Sequence, residues 1–465
     1  MFQLCRTNIP VLSYRCVRHC STPTIAQTRY RYPSLDDVEN LENYRPGGFH
    51  PVSIGDLFAG GRYKVLHKLG NGGSSTVWLA QDQHRREQLR SLVTLKVMSA
   101  EESSKDLAGK IAAKYTPQEV NKFSGSLNHP GKNLLVIMDH FLHQGPNGYH
   151  LCLISPFAGP SMAESPGRVS GSKRLRGDLA RKVTKQLAAA VELLHSARVI
   201  HGDLTPSNVL CQVSDAAHKY DVYQTFGNPE TEEVVTIDDS PPGPHAPSQI
   251  VAPIDFSRLS HSLLKEDIFL IDFGQSFFAD RPPPDNIPAT PLQYLSPEAF
   301  FDLKLSFASD VWALACTIFE IRAGSPLFDP FFSSGTVILK QVVETLGRFP
   351  DPRWSAWEER LVWFDEAGAP KPDDEEEEEE TLLPAVQSSL HHKLSEIGEQ
   401  DDAPHAYEGK MIEEVGTHLD EAEVNLLADL LEKMLRYNPQ DRISMSEVVQ
   451  HPWFAYNNDS GPCLH

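Results

Sequence analysis

An α+β fold in two lobes, a small β-rich one followed by a larger and mainly helical one, is predicted by three observations. At 465 residues the chain exceeds one average domain and can bury a sizeable core. Its strand-type apolar runs fall before residue 157, whereas its helical spacings fall after it. Two further β-type runs deliver chemistry-bearing loops. Val199-Ile200 leads into His201-Gly202-Asp203-Leu204-Thr205-Pro206-Ser207-Asn208, and the run 268–271 leads into Asp272-Phe273-Gly274.

Composition narrows the class. Hydrophobic residues make up 40% and charged ones 23%, with no apolar run long enough to span a bilayer, so no membrane is implied. A net charge of −21 repels phosphates and argues against direct nucleic-acid binding; a basic peptide partner suits it better. The seven cysteines form no CxxC pair, which points to a reduced compartment and no zinc site.

In chain order, residues 1–35 lack Asp and Glu but carry Arg6, Arg15, Arg18, Arg29 and Arg31. Disordered tails and mitochondrial targeting segments share that composition. The small lobe is expected over 36–157. Its lead-in, Gly47-Gly48-Phe49-His50-Pro51-Val52, precedes strands at 63–69 and 76–80, separated by Gly70-Asn71-Gly72-Gly73-Ser74-Ser75. Glycines at such a turn let backbone N–H groups approach phosphate oxygens, though most Gly-rich hairpins are only hairpins. Gly70, Gly72, Gly73, Ser75 and Val77 are the candidate contacts.

A third strand at 92–97 sets Lys96 among apolar neighbours, where an ammonium is costly to bury without an anion. Glu119, in the helical stretch 117–127, is either its ion-pair partner or a solvent-facing side chain. A strand at 150–154 runs into Ser155-Pro156-Phe157-Ala158-Gly159, the expected hinge between lobes. Against an adenine edge Pro156 has only a carbonyl to offer and Ala158 an N–H, while the small Ser155 leaves room behind the base.

The large lobe, 158–456, opens with Leu179, Val183, Leu187, Val191 and Leu194 on one helical face over 178–197. Residues 211–267, with Ser240-Pro241-Pro242-Gly243-Pro244 at their middle, read as a largely irregular insertion. The stretch 309–320 is apolar around most of its circumference, the mark of a buried helix. A second insertion, 365–420, holds an acidic run from Asp373 to Glu380 that is a solvated loop or an attractor of basic substrate. Amphipathic helices at 427–435 and 444–454 flank Asn438-Pro439-Gln440-Asp441-Arg442, Trp354 and Trp357 read as packing residues, and 457–465 reads as a frayed tail.

Asp203 and Asn208, five residues apart, suit phosphoryl transfer. Such a carboxylate can orient and deprotonate an attacking hydroxyl, and the Asn carbonyl oxygen can hold a metal ion on the phosphates. Asp272 adds a second carboxylate suited to Mg²⁺, so ATP and Mg²⁺ are the implied cofactors.

Over roughly 42–454 these pieces, in this order, resemble the eukaryotic protein-kinase fold. Local phrases are similar to the fungal branch of the SR-protein kinase family. They are the lead-in 47–52, Ser75-Thr76-Val77-Trp78-Leu79, Ile271-Asp272-Phe273-Gly274-Gln275-Ser276, and the insertion before the Asp-Phe-Gly. The resemblance implies a monomeric serine/threonine kinase of the cytoplasm and nucleus, acting on Arg/Ser-rich proteins such as splicing factors. It implies Lys96 on the α/β-phosphates, Glu119 positioning Lys96, Asp203 as base, and Asn208 and Asp272 on Mg²⁺. It also implies Thr290 contacting Asp203 and favouring Ser/Thr acceptors, Glu298 paired with Arg442, and His201 packed beneath the Asp-Phe-Gly.

Departures from the family pattern carry information. Gly202 replaces the usual Arg, and no Ser, Thr or Tyr lies between Phe277 and Ala289, so activity independent of activation-loop phosphorylation is expected. Thr205 replaces a Lys that stabilises charge on the transferred group, and Thr94 puts a hydroxyl where an Ala usually floors the adenine pocket. The loop without that Lys is also similar to small-molecule kinases of the aminoglycoside and choline type. Its loss equally fits a weakly active pseudokinase serving as a binding module.

Overall fold

The computed structural model describes residues 28–85, 91–105, 133–164, 174–283, 287–329, 334–372, 384–399, 401 and 411–457. The first lobe is a six-stranded antiparallel sheet of β1 (Leu57–Phe58), β2 (Tyr63–Gly72), β3 (Ser75–Asp82), β4 (Leu92–Met98), β5 (Asp139–Gly145) and β6 (Gly148–Pro156). Its strand order is β1-β2-β3-β4-β6-β5, and α1 (Ala100–Lys105) follows β4. Alternation along the strands sorts the side chains. Trp78, Ala80, Val93, Leu95, Val97, Cys152 and Ile154 pack on one face in a core of the small lobe. Leu79 and Leu92, on the other face, join the core of the large lobe.

The second lobe is mainly helical. β7 (Ala158–Ser161) and α2 (Gly177–Ser196) lead to three short strands around the loops already singled out: β8 (Val199–Ile200), β9 (Val209–Val213) and, beyond the insertion, β12 (Leu264–Leu270). β13 (Phe277–Phe278) then pairs with β8, while β12, β9 and β7 form a three-stranded sheet. α3 (Pro297–Asp302), α4 (Phe307–Ala323), α5 (Gly335–Leu346) and α6 (Glu421–Met434) build the rest. α4 is the expected buried helix; a capping box of Ser306 and Ser309 starts it, and Gly324 at φ +82° ends it. No helix among the described residues is long and apolar enough to cross a membrane.

Three expectations are revised. The insertion is narrower and more regular than its composition suggests, because Cys211 belongs to β9 and Asp267 to β12. Inside it, β10 (Thr231–Glu233) pairs antiparallel with β11 (Gln249–Val251), and Asp221 caps a short helix, Val222–Phe226. Tyr30, expected within the tail, is packed, and its neighbours are tied down. Tyr30 bridges Thr236, Arg31 N–H donates to the Val235 carbonyl at 2.8 Å, and Tyr30, Leu41, Tyr44 and Phe49 share an apolar cluster with Val234, Ala246 and Ile250 of the insertion. The helix expected over 444–454 is two pieces, Met445–Val449 and a 3-10 turn Pro452–Ala455, since Pro452 has no N–H with which to continue the first.

Lead-in and insertion meet β2 at a buried cation. Lys68, fully enclosed, forms an ion pair with Glu39 and donates to the Val251 carbonyl at 2.9 Å, while the Tyr44 hydroxyl donates to Glu39. Burial pulls the Lys68 ammonium below its usual range and Glu39 opposes that pull. In the large lobe Arg442 donates to both oxygens of Glu298, at 2.6 and 2.7 Å, and to the Ala308 and Arg436 carbonyls. Trp354 and Trp357 are both core residues.

Two stability outcomes follow from uncompensated buried charge. Arg442→Met should cost about 3–5 kcal/mol in urea unfolding, and the double replacement Glu298→Leu with Arg442→Met should restore most of it. Lys68→Met should loosen residues 28–52, read as faster proteolytic cleavage there with the rest of the chain intact.

Candidate active site

The catalytic-type loop is held from below by α4. Asp310 accepts the His201 N–H through Oδ2 at 2.8 Å and the Gly202 N–H through Oδ1 at 2.9 Å, with His195 Nε2 also 2.9 Å from Oδ2. His201 is fully buried against Phe273, as expected, with ring centroids 5.3 Å apart. Its Nε2–H donates to the Ile271 carbonyl at 3.1 Å, which leaves Nδ1 to accept the Asp203 N–H at 3.2 Å. Burial holds this ring neutral by lowering its pKa. It therefore splices the Asp203 loop to the end of β12 and carries no proton to the chemistry.

Gly202 has φ +77°, and a Cβ there would stand 2.9 Å from the Gln275 carbonyl oxygen. A side chain at this position would be strained and obstructed in this backbone conformation. Thr290 Oγ1 donates to the Gly202 carbonyl at 2.7 Å, so it braces the backbone next to Asp203 where a contact with the Asp203 carboxylate was expected. The Ser276 hydroxyl donates to the His201 carbonyl at 2.9 Å.

Asn208 donates from Nδ2 to both the Asp203 carbonyl, at 2.8 Å, and Asp203 Oδ2, at 3.0 Å. The other carboxylate oxygen, Oδ1, is buried with no hydrogen-bond partner among the described residues. Burial raises the Asp203 pKa to about 6; the Asn208 bond works against the rise and the Asp272 charge adds to it. A carboxylate with one idle oxygen and a pKa near neutrality is suited to taking a proton from a hydroxyl.

Asp272 lies in the left-handed region at φ +58°, and its Oδ1 accepts from both Lys96 Nζ and the Gly274 N–H at 3.2 Å. Burial alone would raise this carboxyl; the Lys96 ammonium and the Gly274 N–H more than offset it and hold the pKa low. Asp272 is thus an anion over the working pH range. With the carbonyl oxygen of Asn208 it offers hard oxygen donors that fit Mg²⁺.

Register places the remaining candidates. Val77, Lys96 and Leu153 are directly opposite one another on β3, β4 and β6, and Leu79, Thr94 and Ser155 form the next row. Gly70, Gly72 and Gly73 lie at the β2–β3 hairpin end, where an added Cβ would meet nothing within 4 Å. Ser75 is buried opposite Gly72. Pro156 ends β6, and Ala158 starts β7 opposite Gln212. Glu119 lies outside the described residues, as does the run from Asp373 to Glu380.

Sequence reasoning gave Asp310, His195 and the Lys68–Glu39 pair no role. A lone Asp inside an apolar helix and a Lys amid an apolar strand were the available signals, since a charge buried in such company requires a partner. It also missed the Asn71 side chain at the hairpin tip, which donates to the Asp37 carbonyl of the lead-in at 2.9 Å.

The comparisons agree with this geometry. The family model for the protein kinase domain matches residues 63–222 and 259–454, and its gap falls in the insertion around β10 and β11. The chain is similar to a serine/threonine-protein kinase SRPK of Physarum polycephalum, at 25% identity covering 90% of this chain and 91% of the relative. It is similar to protein kinase dsk1 of Schizosaccharomyces pombe, at 26% identity covering 89% and 84%, and to human SRSF protein kinase 3, at 31% identity covering 39% and 30%. Among solved structures, the kinase domain of PF14_0431 covers 87% of this chain and 98% of its own, with a TM-score of 0.54 and 18% identity, a likeness of fold. With the model matching well over half of its length, the chain belongs to the protein kinase domain family and is an ATP-dependent protein kinase.

Proposed function

We propose that this kinase transfers the terminal phosphate of ATP to serine or threonine hydroxyls of a basic, Arg/Ser-rich protein, and does so without phosphorylation of its own activation segment. The observation that carries the second part is Gly202. Gly202 has no side chain with which to clasp a phosphorylated residue, and no hydroxyl side chain lies between Phe277 and Ala289. The Lys96–Asp272 pair and the Asp310-held loop stand together in the unmodified chain.

For the substrate, support comes from the net charge of −21 and from the relatives, an SRPK and an SRSF protein kinase. Placement in the cytoplasm and nucleus and a monomeric state belong to the same proposal. A protein acceptor is favoured over a small alcohol because the match to the kinase model runs through the segment from Thr290 to Glu298 and on to Arg442.

In this reading Asp203 Oδ1 receives the acceptor hydroxyl and takes its proton, while Oδ2 is kept in place by Asn208. Lys96 is aimed by Asp272 toward the α/β-phosphates. Asp272 and Asn208 would hold Mg²⁺, which when bound would neutralise phosphate charge. Thr205, buried and uncharged, contributes no cation where relatives of this fold place a Lys, so transfer depends more heavily on the metal and Lys96.

Purified protein with Mg-ATP and an Arg/Ser-repeat peptide tests the reading. Phosphate should appear on Ser of the peptide, Asp203→Asn should lower turnover by about 10³-fold or more, and choline or aminoglycoside acceptors should stay unmodified. Labelling of a small molecule alone, or ATP binding without Asp203-dependent turnover, would sink it. Because the base must be ionised and its pKa is raised to about 6, kcat/KM should be level above that pH and fall about tenfold per unit well below it. Thr205→Lys should raise kcat by about tenfold or more, as expected of a new donor on developing charge, with little change in peptide KM.

A further inference from the structure

The cleft face of the first sheet carries a hydroxyl that bears on the choice of purine. Thr94 and Lys96 are two residues apart on β4 and so share one face, and Lys96 fixes that face as the cleft side by reaching Asp272. Directly opposite Thr94 on β6 is Ser155, so both small hydroxyl side chains face the same space at the start of the hinge. The neighbours confirm the sorting: Leu79, in the same row, packs with the large lobe, whereas Val93 and Leu95 pack on the opposite face.

The Thr94 hydroxyl is already engaged. Its Oγ1 donates to the Pro156 carbonyl at 3.3 Å, the carbonyl that an adenine amino group would otherwise be the one to satisfy. Resting on the nucleotide-binding reading above, we propose that Thr94 relaxes purine selection, so that the cleft takes 6-oxopurine nucleoside triphosphates beside ATP.

The reason is a hydrogen-bond account. An acceptor-only hinge carbonyl discriminates against a 6-oxopurine because the base brings an oxygen where a donor is needed, and the buried carbonyl is left unpaired. Pro156 has no N–H of its own, so this carbonyl is all its backbone offers the base. With the Thr94 hydroxyl on that oxygen, the carbonyl keeps a donor when amino becomes oxo. Because a 6-oxopurine also carries N1–H where adenine has an acceptor, the base moves in its plane so that O6 takes the Ala158 N–H. The small Ser155 leaves the base room to shift in its plane. Thr94 acts here as a specificity-determining residue.

The test is direct titration of the full chain, by calorimetry with Mg²⁺, using ATP and inosine triphosphate as the two probes. The wild-type dissociation constants should lie within about tenfold of each other, and Thr94→Val should widen their ratio by about tenfold more, the factor for one lost buried hydrogen bond. Thr94→Ser, which keeps the hydroxyl, should hold the wild-type ratio. A wild-type ratio above about a hundredfold overturns the proposal without any variant, and so does a ratio that Thr94→Val leaves unmoved. Binding of ATP alone removes only this inference; binding of neither nucleotide removes the nucleotide-binding reading with it.

Discussion

The carboxylate of Asp310 is the constraint on which the site depends. It lies in the middle of the large lobe's core on a helix whose neighbours Trp312 and Leu314 are fully buried, and it spends both oxygens on backbone N–H groups of the catalytic loop. A buried carboxylate is tolerated only when its acceptors are filled, and two amides and a histidine fill these. The same bonds hold His201 and Gly202 in a conformation they would not otherwise keep, including the positive φ of Gly202. Asp203 follows directly in the chain, so the position of its carboxylate, the proposed base, is inherited from the core of the large lobe.

A second anchor works from the other lobe. β4 presents Lys96 to Asp272, which makes this ion pair a bridge between the small sheet and the segment after β12. The lead-in and the insertion add a further tie at β2, where Lys68, Glu39 and the Val251 carbonyl meet out of water. Since the insertion leaves the large lobe at β9 and returns to it at β12, its dock on β2 spans the lobes. Asn71, at the tip of the Gly-rich hairpin, is bonded to the lead-in as well. The glycines make that hairpin permissive, and the lead-in restricts it.

Much of this was legible in the residues. Strand periodicity located β2, β3, β4, β6 and β12 to within a few positions because each has one face buried and a fixed register. That Asp203, Asn208 and Asp272 lie near one another was legible because spacing on a loop between apolar runs is a local property. The insertion was misread because its order comes from afar. Proline and serine around 240–244 do mark a turn, but Val234 and Ile250 are ordered by Tyr30 and Tyr44, about two hundred residues earlier in the chain. No window of sequence displays such a pairing. Thr290 was misassigned for a smaller reason. The resemblance gives its neighbourhood, and only coordinates tell a backbone carbonyl from a carboxylate beside it.

The charges at the site, taken together, explain how Thr205 can be tolerated. Burial raises the Asp203 pKa to about 6, so its carboxylate is ionised at neutral pH but more basic than an exposed one, and His201 adds no charge. Asp272 is the firm anion, and its partner Lys96 balances it. In the proposed mechanism a Lys at position 205 would serve as a cation on the transferred phosphate and would also lower the pKa of Asp203, the proposed base. With Thr there, the base keeps a pKa close to neutral pH, so proton transfer from a hydroxyl is better matched while charge stabilisation is poorer. The loop thus exchanges electrostatic help at the phosphate for basicity at Asp203, and the two effects oppose each other in the rate.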